Sequence, residues 1–528
     1  MRLALIITLM LCTPLAAAPG ARAPARILEI HFVSDTHSNL DTIGPRTCSL
    51  EGRLGGIARL AGWLKHRRVP GKRQLFVHSG DSFMGDPLFN LTLGAAELEL
   101  LSDLGCDAMC VGNHEMDLGP FALEQVLRTV NPRFQLVSAN LDLSAPPVQG
   151  LRDFIKPYVV KQLNGMKVGL FGVTTPDANL ISQPAPATVD PDVVAAASRA
   201  VKALQAEGCE VIICLSHCGK ILDTAIARNV AGIHVILGGH DHAPLAQPLA
   251  VRNPLGATTY IAQPAPYYHE VGTVRLQVKA GTVRLLRHRK HRITARTRKD
   301  RTMDAKVKAL VAAAEKVWGP LYTRQAAYVT STFAEFLTDL RSAGPKDLPL
   351  PNLVADAYRA TTGTQVAFVP GGTTAQPLYR GPITAADLFR AVGYGFNTFN
   401  GLGFRLATFK MTGAALGAGL ELGLTGIEAG SDDFFAQVSG LRYTYNPNAA
   451  PTRRVVSVTV NGSPLNPAAT YTVTANESIP TFLTAFGIGF SDLVVLEQVT
   501  EFQALAGYAQ GRTLSPRVEG RVFCVPSP

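Results

Sequence analysis

No apolar run of this 528-residue chain, the opening one included, is long enough to cross a bilayer. Its last residues, PRVEGRVFCVPSP, lack the hydrophobic tail of a lipid-anchor signal. A stable membrane anchor is therefore not expected. No repeat of solenoid period and no low-complexity tract occurs, which removes repeat architectures. Charge is sparse: 17% charged against 47% apolar residues describes a packed, soluble protein rather than a disordered one. Acidic residues are the scarcer sign, 40 against 50 basic, leaving a net charge of +10. Much of that excess sits in LRHRKHRITARTRKDR, residues 286–301, read here as a solvated inter-domain segment. No nucleic-acid partner is expected. A small anionic substrate would be attracted all the same.

Cysteine is also scarce. Setting aside Cys12 leaves Cys48, Cys106, Cys110, Cys209, Cys214, Cys218 and Cys524, an odd set that cannot all pair within one monomer. Cys110 and Cys214 lie in apolar runs and read as buried thiols. Cys106 and Cys110 are close enough in sequence for pairing to stay open. Cys218 follows a histidine and reads as a small residue packed behind a site.

The start, MRLALIITLMLCTPLAAAPGARA, has the form of a Sec signal peptide: Arg2, a short apolar core from Leu3 to Leu11, then small residues. Cleavage is expected between Ala17 and Ala23, with residues 1–23 as the leader. The mature protein is then exported, periplasmic or secreted.

The length calls for two large domains. Over 27–280, apolar strand-like runs alternate with amphipathic helical stretches. The runs are ILEIHFV, RQLFVHSG, CDAMCVG, FQLVSAN, KVGLFGV, CEVIICLSH and IHVILGG, and the helical stretches include GGIARLAGWLKHRR and AAELELLSDLG. That alternation predicts an α/β layer structure. A hairpin is predicted about Ala280-Gly281, followed by a helix at DAKVKALVAAAEKVWGPLY. Farther on, LPNLVADAYRAT and AADLFRAV read as helices, and LRYTYNP, RRVVSVTVNG and ATYTVTAN as strands, with VNGSPLN as a hairpin.

Five short islands each follow an apolar run. They are FVSDTHSN with Asp35 and His37, FVHSGDSF with Asp81, CVGNHEMD with Asn113, CLSHCG with His217, and LGGHDH with His240 and His242. Ligands at strand ends are where α/β sheets bind. The mixture of Asp, Asn and His suits two divalent ions such as Zn, Mn or Fe. Such a pair can clamp an in-line displacement at phosphorus. Any one of these histidines alone would read as a core residue; the set does not.

In this order the islands resemble those of the calcineurin-like metallophosphoesterases. GNHEMDLGP narrows the resemblance to the branch of secreted 5'-nucleotidases and UDP-sugar hydrolases. NLVADAYR, ITAADLF, FFAQVSGLRYTY and VEGRV resemble that branch's second domain, so the likeness covers almost the whole mature chain. It implies an α/β N-terminal metallophosphoesterase domain, a β-sandwich flanked by helices, over 27–295. It further implies a linker with an inter-domain helix over 296–324 and an α+β C-terminal, substrate-binding domain of 5'-nucleotidase type over 325–528. By the same resemblance Asp81 bridges two metals. Asp35, His37 and His242 complete one coordination sphere, and Asn113, His217 and His240 the other. His114 becomes the catalytic imidazole and Asp117 its orienting carboxylate.

The resemblance also implies that Phe435 and Phe490 sandwich a base and that Asn140 contacts substrate. The chain departs from the branch at three places. Thr374 in VPGGTTAQ replaces an arginine that helps hold substrate, Ile488 replaces an aspartate, and the segment VGYGFNTFNGLGFRLATF is longer than usual. Arg380, Arg405 or Arg442 are candidates to compensate. The implied substrate is a small phosphorylated molecule, a nucleoside 5'-monophosphate first. UDP-sugars and 2',3'-cyclic nucleotides are close rivals. A thiosulfohydrolase-like enzyme and a silent binding protein are more distant; retained His114 and the full donor set speak against the last.

Overall fold

A computed structural model describes residues 25–527 apart from 280, 336 and 338. The leader and the turn residue Ala280 lie outside the described residues. The seven apolar runs all form strands, because β-branched and aromatic residues fill both faces of a buried sheet.

Two large sheets and a two-stranded one, Leu141–Asp142 with Thr188–Val189, build the N-terminal domain. The first has seven strands, with β1 (Arg26–Val33), β2 (Gln74–His78) and β3 (Ala108–Cys110) side by side at its centre. The second has six, with β4 (Val211–His217) beside β5 (Val235–Leu237). β1, β2 and β3 run parallel, and β4 runs parallel to β5. Their C-terminal ends therefore collect at one edge of the sandwich. Leu28, Ile30, Phe32, Leu75 and Val77 of the first sheet meet Leu170, Val211, Ile213, Leu215 and Val235 of the second in one dry core. Helices cover both outer faces. Ile57–Lys65 and Ala95–Asp103 pack on the first sheet, Val193–Ala206 and Gly219–Asn229 on the second.

The basic run differs from its reading as a solvated linker. Thr282–Arg292 is the edge strand of the first sheet and pairs antiparallel with Glu270–Lys279. Arg284, Arg287, Arg289 and Arg292 are exposed on it. Charge on an edge strand discourages pairing with another chain, which gives the run a structural reason.

The inter-domain helix forms at Arg301–Trp318, with the Asp300 carboxylate accepting from Thr302 and Met303 N–H at its start. The C-terminal domain mixes helices with three sheets, of three, five and five strands. Its predicted helices lie at Pro349–Thr362 and Ala385–Ala391, and its predicted strands at Leu441–Tyr445, Val455–Val460 and Thr470–Asn476. The VNGSPLN hairpin turns at Asn461 and Gly462, both at positive φ as a two-residue hairpin turn requires. One hydrophobic cluster runs from the helices of the first domain into those of the second. The described cysteines, Cys106 and Cys110 included, carry free thiols.

Candidate metal centre and catalytic histidine

Each of the parallel strands ends at, or a few residues before, a donor. β1 leads to Asp35 and His37, β2 to Asp81, β3 to Asn113, and β5 to His240 and His242, while His217 is the last residue of β4. Donor atoms of Asp35, His37 and His242 lie within 4.8 Å of one another. So do those of Asp35, Asp81 and His217, and those of His37, Asp81 and His114. Asp35, His37 and Asp81 are thus each shared between two of the three groups. Asn113 and His240 stand beside them: Asn113 Oδ1 is buried without a hydrogen bond, and the His240 ring lies 5.3 Å from that of His217. His240 Nε2 is 3.4 Å from Asp177 Oδ2.

The hydrogen bonds reveal which ring nitrogens are free. His217 Nδ1 lies 2.8 Å from the Ser79 carbonyl oxygen, which can only accept, so Nδ1 carries a proton. Its Nε2 then points at Asp81 Oδ2, 2.9 Å away. His242 Nδ1 lies 3.2 Å from the Tyr267 hydroxyl, whose proton goes to the Ala375 carbonyl at 2.5 Å. His242 Nε2 therefore faces inward and meets His37 Nε2 at 3.0 Å. Asp35 Oδ2, His37 Nδ1, Asn113 Oδ1 and His217 Nε2 are buried with no hydrogen-bond partner. Buried polar atoms left unpaired need protons or cations as partners. Histidines held by their far nitrogen are the usual form of a metal ligand. The donor set fits divalent metal.

The backbone supports the same reading. Asp35, His37, Asp81, His240 and His242 all have φ between 45° and 86° although none is glycine. Such strain persists where surrounding structure over-determines it, and it clusters at functional sites. Glycine is required at 112, where a Cβ would come 2.1 Å from Asp81 Oδ1. Glu115, which sequence reasoning passed over, shapes the Asp81 loop. Its buried carboxylate accepts from Gly112 N at 2.7 Å, Asp81 N at 3.0 Å, Ser82 N at 2.7 Å and Phe83 N at 3.2 Å.

His114 sits against this cluster. Its backbone N–H donates to Asp81 Oδ1 at 3.0 Å, and its Nδ1 bonds Asp117 Oδ2 at 2.5 Å. Asp117 Oδ1 accepts from Ser182 Oγ at 2.7 Å. Burial alone would lower the imidazole pKa, but Asp117 and Asp81 override it and hold it up at about 9. The pair can keep a proton on His114 at neutral pH. Two tyrosines, also missed in the sequence, close the site. Tyr394 stacks on His114 with ring centroids 4.7 Å apart, and Tyr267 lies 5.4 Å from the His242 ring.

The residues proposed to hold substrate fare differently. Phe435 is only 1% exposed and packs against Tyr443 and Tyr445, so it offers no face to a base. Phe490 is partly buried against Phe409 in the same core. Asn140 is buried, and its side chain is spent on the backbone: Nδ2 donates to Thr174 O and Asp190 O, and Oδ1 accepts from Thr174 N. Thr374 Oγ1 donates to Gly371 O, and Ile488 joins the core around Phe435. None of the three arginines reaches the metal-donor cluster in these contacts. Arg405 pairs with Glu477 and Glu497, Arg442 donates to backbone at Glu519 and Gly520, and Arg380 is exposed. His78 supports the β1 loop through Thr36 Oγ1, and His234 accepts from Ile212 N.

A sandwich whose strand ends hold this donor set, with a carboxylate-held histidine beside it, defines a metal-dependent phosphoesterase. Residues 28–244 match the family described as calcineurin-like phosphoesterase, and residues 327–481 match the 5'-nucleotidase, C-terminal domain. The first domain is thus a calcineurin-like phosphoesterase domain and the second a 5'-nucleotidase C-terminal domain. It is 28% identical to the trifunctional nucleotide phosphoesterase protein YfkN of Bacillus subtilis (strain 168), over 94% of this chain and 35% of that protein. The chain spans between a third and a half of the length of the curated relatives it matches first. A 5'-nucleotidase precursor from Thermus thermophilus superposes with a TM-score of 0.82 at 29% identity, covering 95% of this chain and all of that one. The Thermus sulfate thiohydrolase SoxB shares the fold, with a TM-score of 0.76 at 21% identity, over 97% and 98% of the two chains.

Proposed function

We propose that the protein is an exported two-metal phosphohydrolase that removes phosphate from nucleoside 5'-monophosphates. The observation that carries this reading is the meeting of His114 with Asp35, His37, Asp81, His217 and His242, donors from four separate strand ends. Asp35, His37, Asp81 and His242 would hold one ion, and Asp81, Asn113, His217 and His240 the other. Bound there, the ions would activate water for in-line attack and neutralise the phosphoryl oxygens. The chain's own part is separate. Asp117 fixes the His114 ring through Nδ1, leaving Nε2 to give a proton to the departing alkoxide. Asp81 holds the His114 backbone in register with the metal donors.

Nucleotides are favoured because the named activities of YfkN and of the Thermus homologue concern them. With Phe435 in the core, no aromatic sandwich supports tight base recognition, so breadth across nucleotides is expected. The domain division follows the same reading: leader 1–23, catalytic domain 27–295, linker 296–324 and substrate domain 325–528. The test is a panel of AMP, UDP-glucose, 2',3'-cyclic AMP and p-nitrophenyl phosphate with purified protein and added Mn or Zn. Release of phosphate from AMP well above that from UDP-glucose supports the reading. Turnover of UDP-glucose or cyclic AMP alone, or of none of the panel, overturns it.

A further inference from the structure

The second domain does not merely face the metal centre; it touches the catalytic histidine. The contact starts at the helix α1 (Ala385–Ala391), whose Arg390 is buried and bonds Asp86 Oδ2 of the first domain at 2.7 Å. Asp387 on the same helix bonds both Arg390 and Arg46, the latter again from the first domain. Just beyond α1 the two backbones meet. Gly85 N donates to Gly393 O at 3.0 Å. A Cβ on Gly393 would lie 2.8 Å from the Gly85 carbonyl oxygen, and one on Gly85 would lie 2.9 Å from His37 Cβ. Glycine at 393 allows the approach of the two backbones, and glycine at 85 the close passage of His37. On the far side, Asn90 Nδ2 donates to Gly395 O at 3.2 Å.

The residue delivered between these anchors is Tyr394. Its ring lies nearly parallel to the His114 imidazole, 20° between planes, and 5.4 Å from the His37 ring. His114 is held at its edge by Asp117 and at its backbone by Asp81. A hydrogen bond at one ring nitrogen fixes a direction but leaves the ring free to tilt. Packing on the face removes that tilt.

We propose that Tyr394 is a positioning residue for His114: the second domain completes the catalytic centre by clamping the face of the imidazole. This rests on the phosphohydrolase reading above. Hydrolysis then depends on the domain contact that carries Tyr394, including Gly85 and Gly393, and not only on the first-domain motifs.

The experiment uses full-length Tyr394→Leu, Tyr394→Phe and Gly393→Ala, each with Mn, on p-nitrophenyl phosphate and AMP. Bound metal and melting temperature are measured alongside. Tyr394→Leu should lower kcat by about 10- to 100-fold on both substrates, with KM within about two-fold and bound metal unchanged. Tyr394→Phe, which keeps the ring, should stay within about two-fold of the parent. Gly393→Ala keeps Tyr394 but pushes the backbones apart, and should lower kcat in the same way without losing metal; it decides the matter if the Leu variant does not fold. A Leu variant as fast as the parent overturns the proposal. So does a Phe variant as slow as Leu, which would mean that the hydroxyl matters and not the ring. A selective rise in AMP turnover on removing the ring also overturns it, making Tyr394 a steric gate. A parent protein with no phosphatase activity on either substrate would instead refute the phosphohydrolase reading.

Discussion

His217 Nε2 faces Asp81 Oδ2 at 2.9 Å while its other nitrogen is committed to the Ser79 carbonyl. Both side chains are buried, so the facing nitrogen and carboxylate need a proton or a cation between them. A cation satisfies both, and the left-handed backbones of Asp35, His37 and Asp81 bring further donors to the same place.

Catalysis should separate from metal binding at His114. Replacing it by Ala leaves the strand-end donors intact, so bound metal should persist. The loss of one proton-donating group typically lowers kcat about 10²- to 10⁴-fold. Steady-state kinetics with elemental analysis check this. An unchanged kcat on a phosphomonoester would remove His114 from the reaction.

The domain interface should be stiff. Arg390 is 1% exposed and shared by Asp86 and Asp387. Arg390→Met leaves buried Asp86 without its cation, while Asp387 keeps Arg46, and breaking such a buried pair costs about 3–5 kcal/mol. Denaturant unfolding should show that loss, with a fall in kcat beside it because Tyr394 follows closely in the chain. Unfolding at the parent's midpoint would mean that the interface contributes little.

Phe435 should behave as a core residue. Phe435→Ala is expected to destabilise the protein by about 3–5 kcal/mol. KM for AMP and for p-nitrophenyl phosphate, which has no base, should change in parallel. A KM effect confined to AMP, without destabilisation, would return Phe435 to the substrate.

Sequence made the N-terminal strands readable, because each expected donor follows a run apolar enough to be a buried strand. It could not show Tyr267, Tyr394 or Glu115, whose roles come from approach in space: Tyr394 lies 280 positions from His114. Phe435 was misleading for a local reason. Phe434 and Phe435 adjoin the strand Ala436–Ser439, where neighbours point to opposite faces, and both faces are covered. Nothing in the residue types says which phenylalanine turns inward. The basic run misled because charge on an exposed edge strand looks like charge on a linker.

Stability should depend on pH through Glu501. Burial pushes this carboxyl from 4.5 up to about 8, although Phe404 N, Tyr358 Oη and Asn476 Nδ2 donate to it. Between those values the folded chain keeps a proton that the unfolded chain has released. The contribution is full below about pH 4.5 and is lost as pH rises through 8. The melting temperature should therefore fall more between about pH 5 and pH 8 for the parent than for Glu501→Gln. Equal falls would show that Glu501 does not titrate in this way.

The most direct test of the metal centre is elemental analysis of the purified protein after exposure to Mn or Zn and removal of free ion. Two divalent ions per chain are expected, lost together with activity in Asp81→Asn, since Asp81 lies in two of the three donor groups and also holds the His114 backbone. A protein that holds no metal and keeps full phosphatase activity in a chelator would contradict the account.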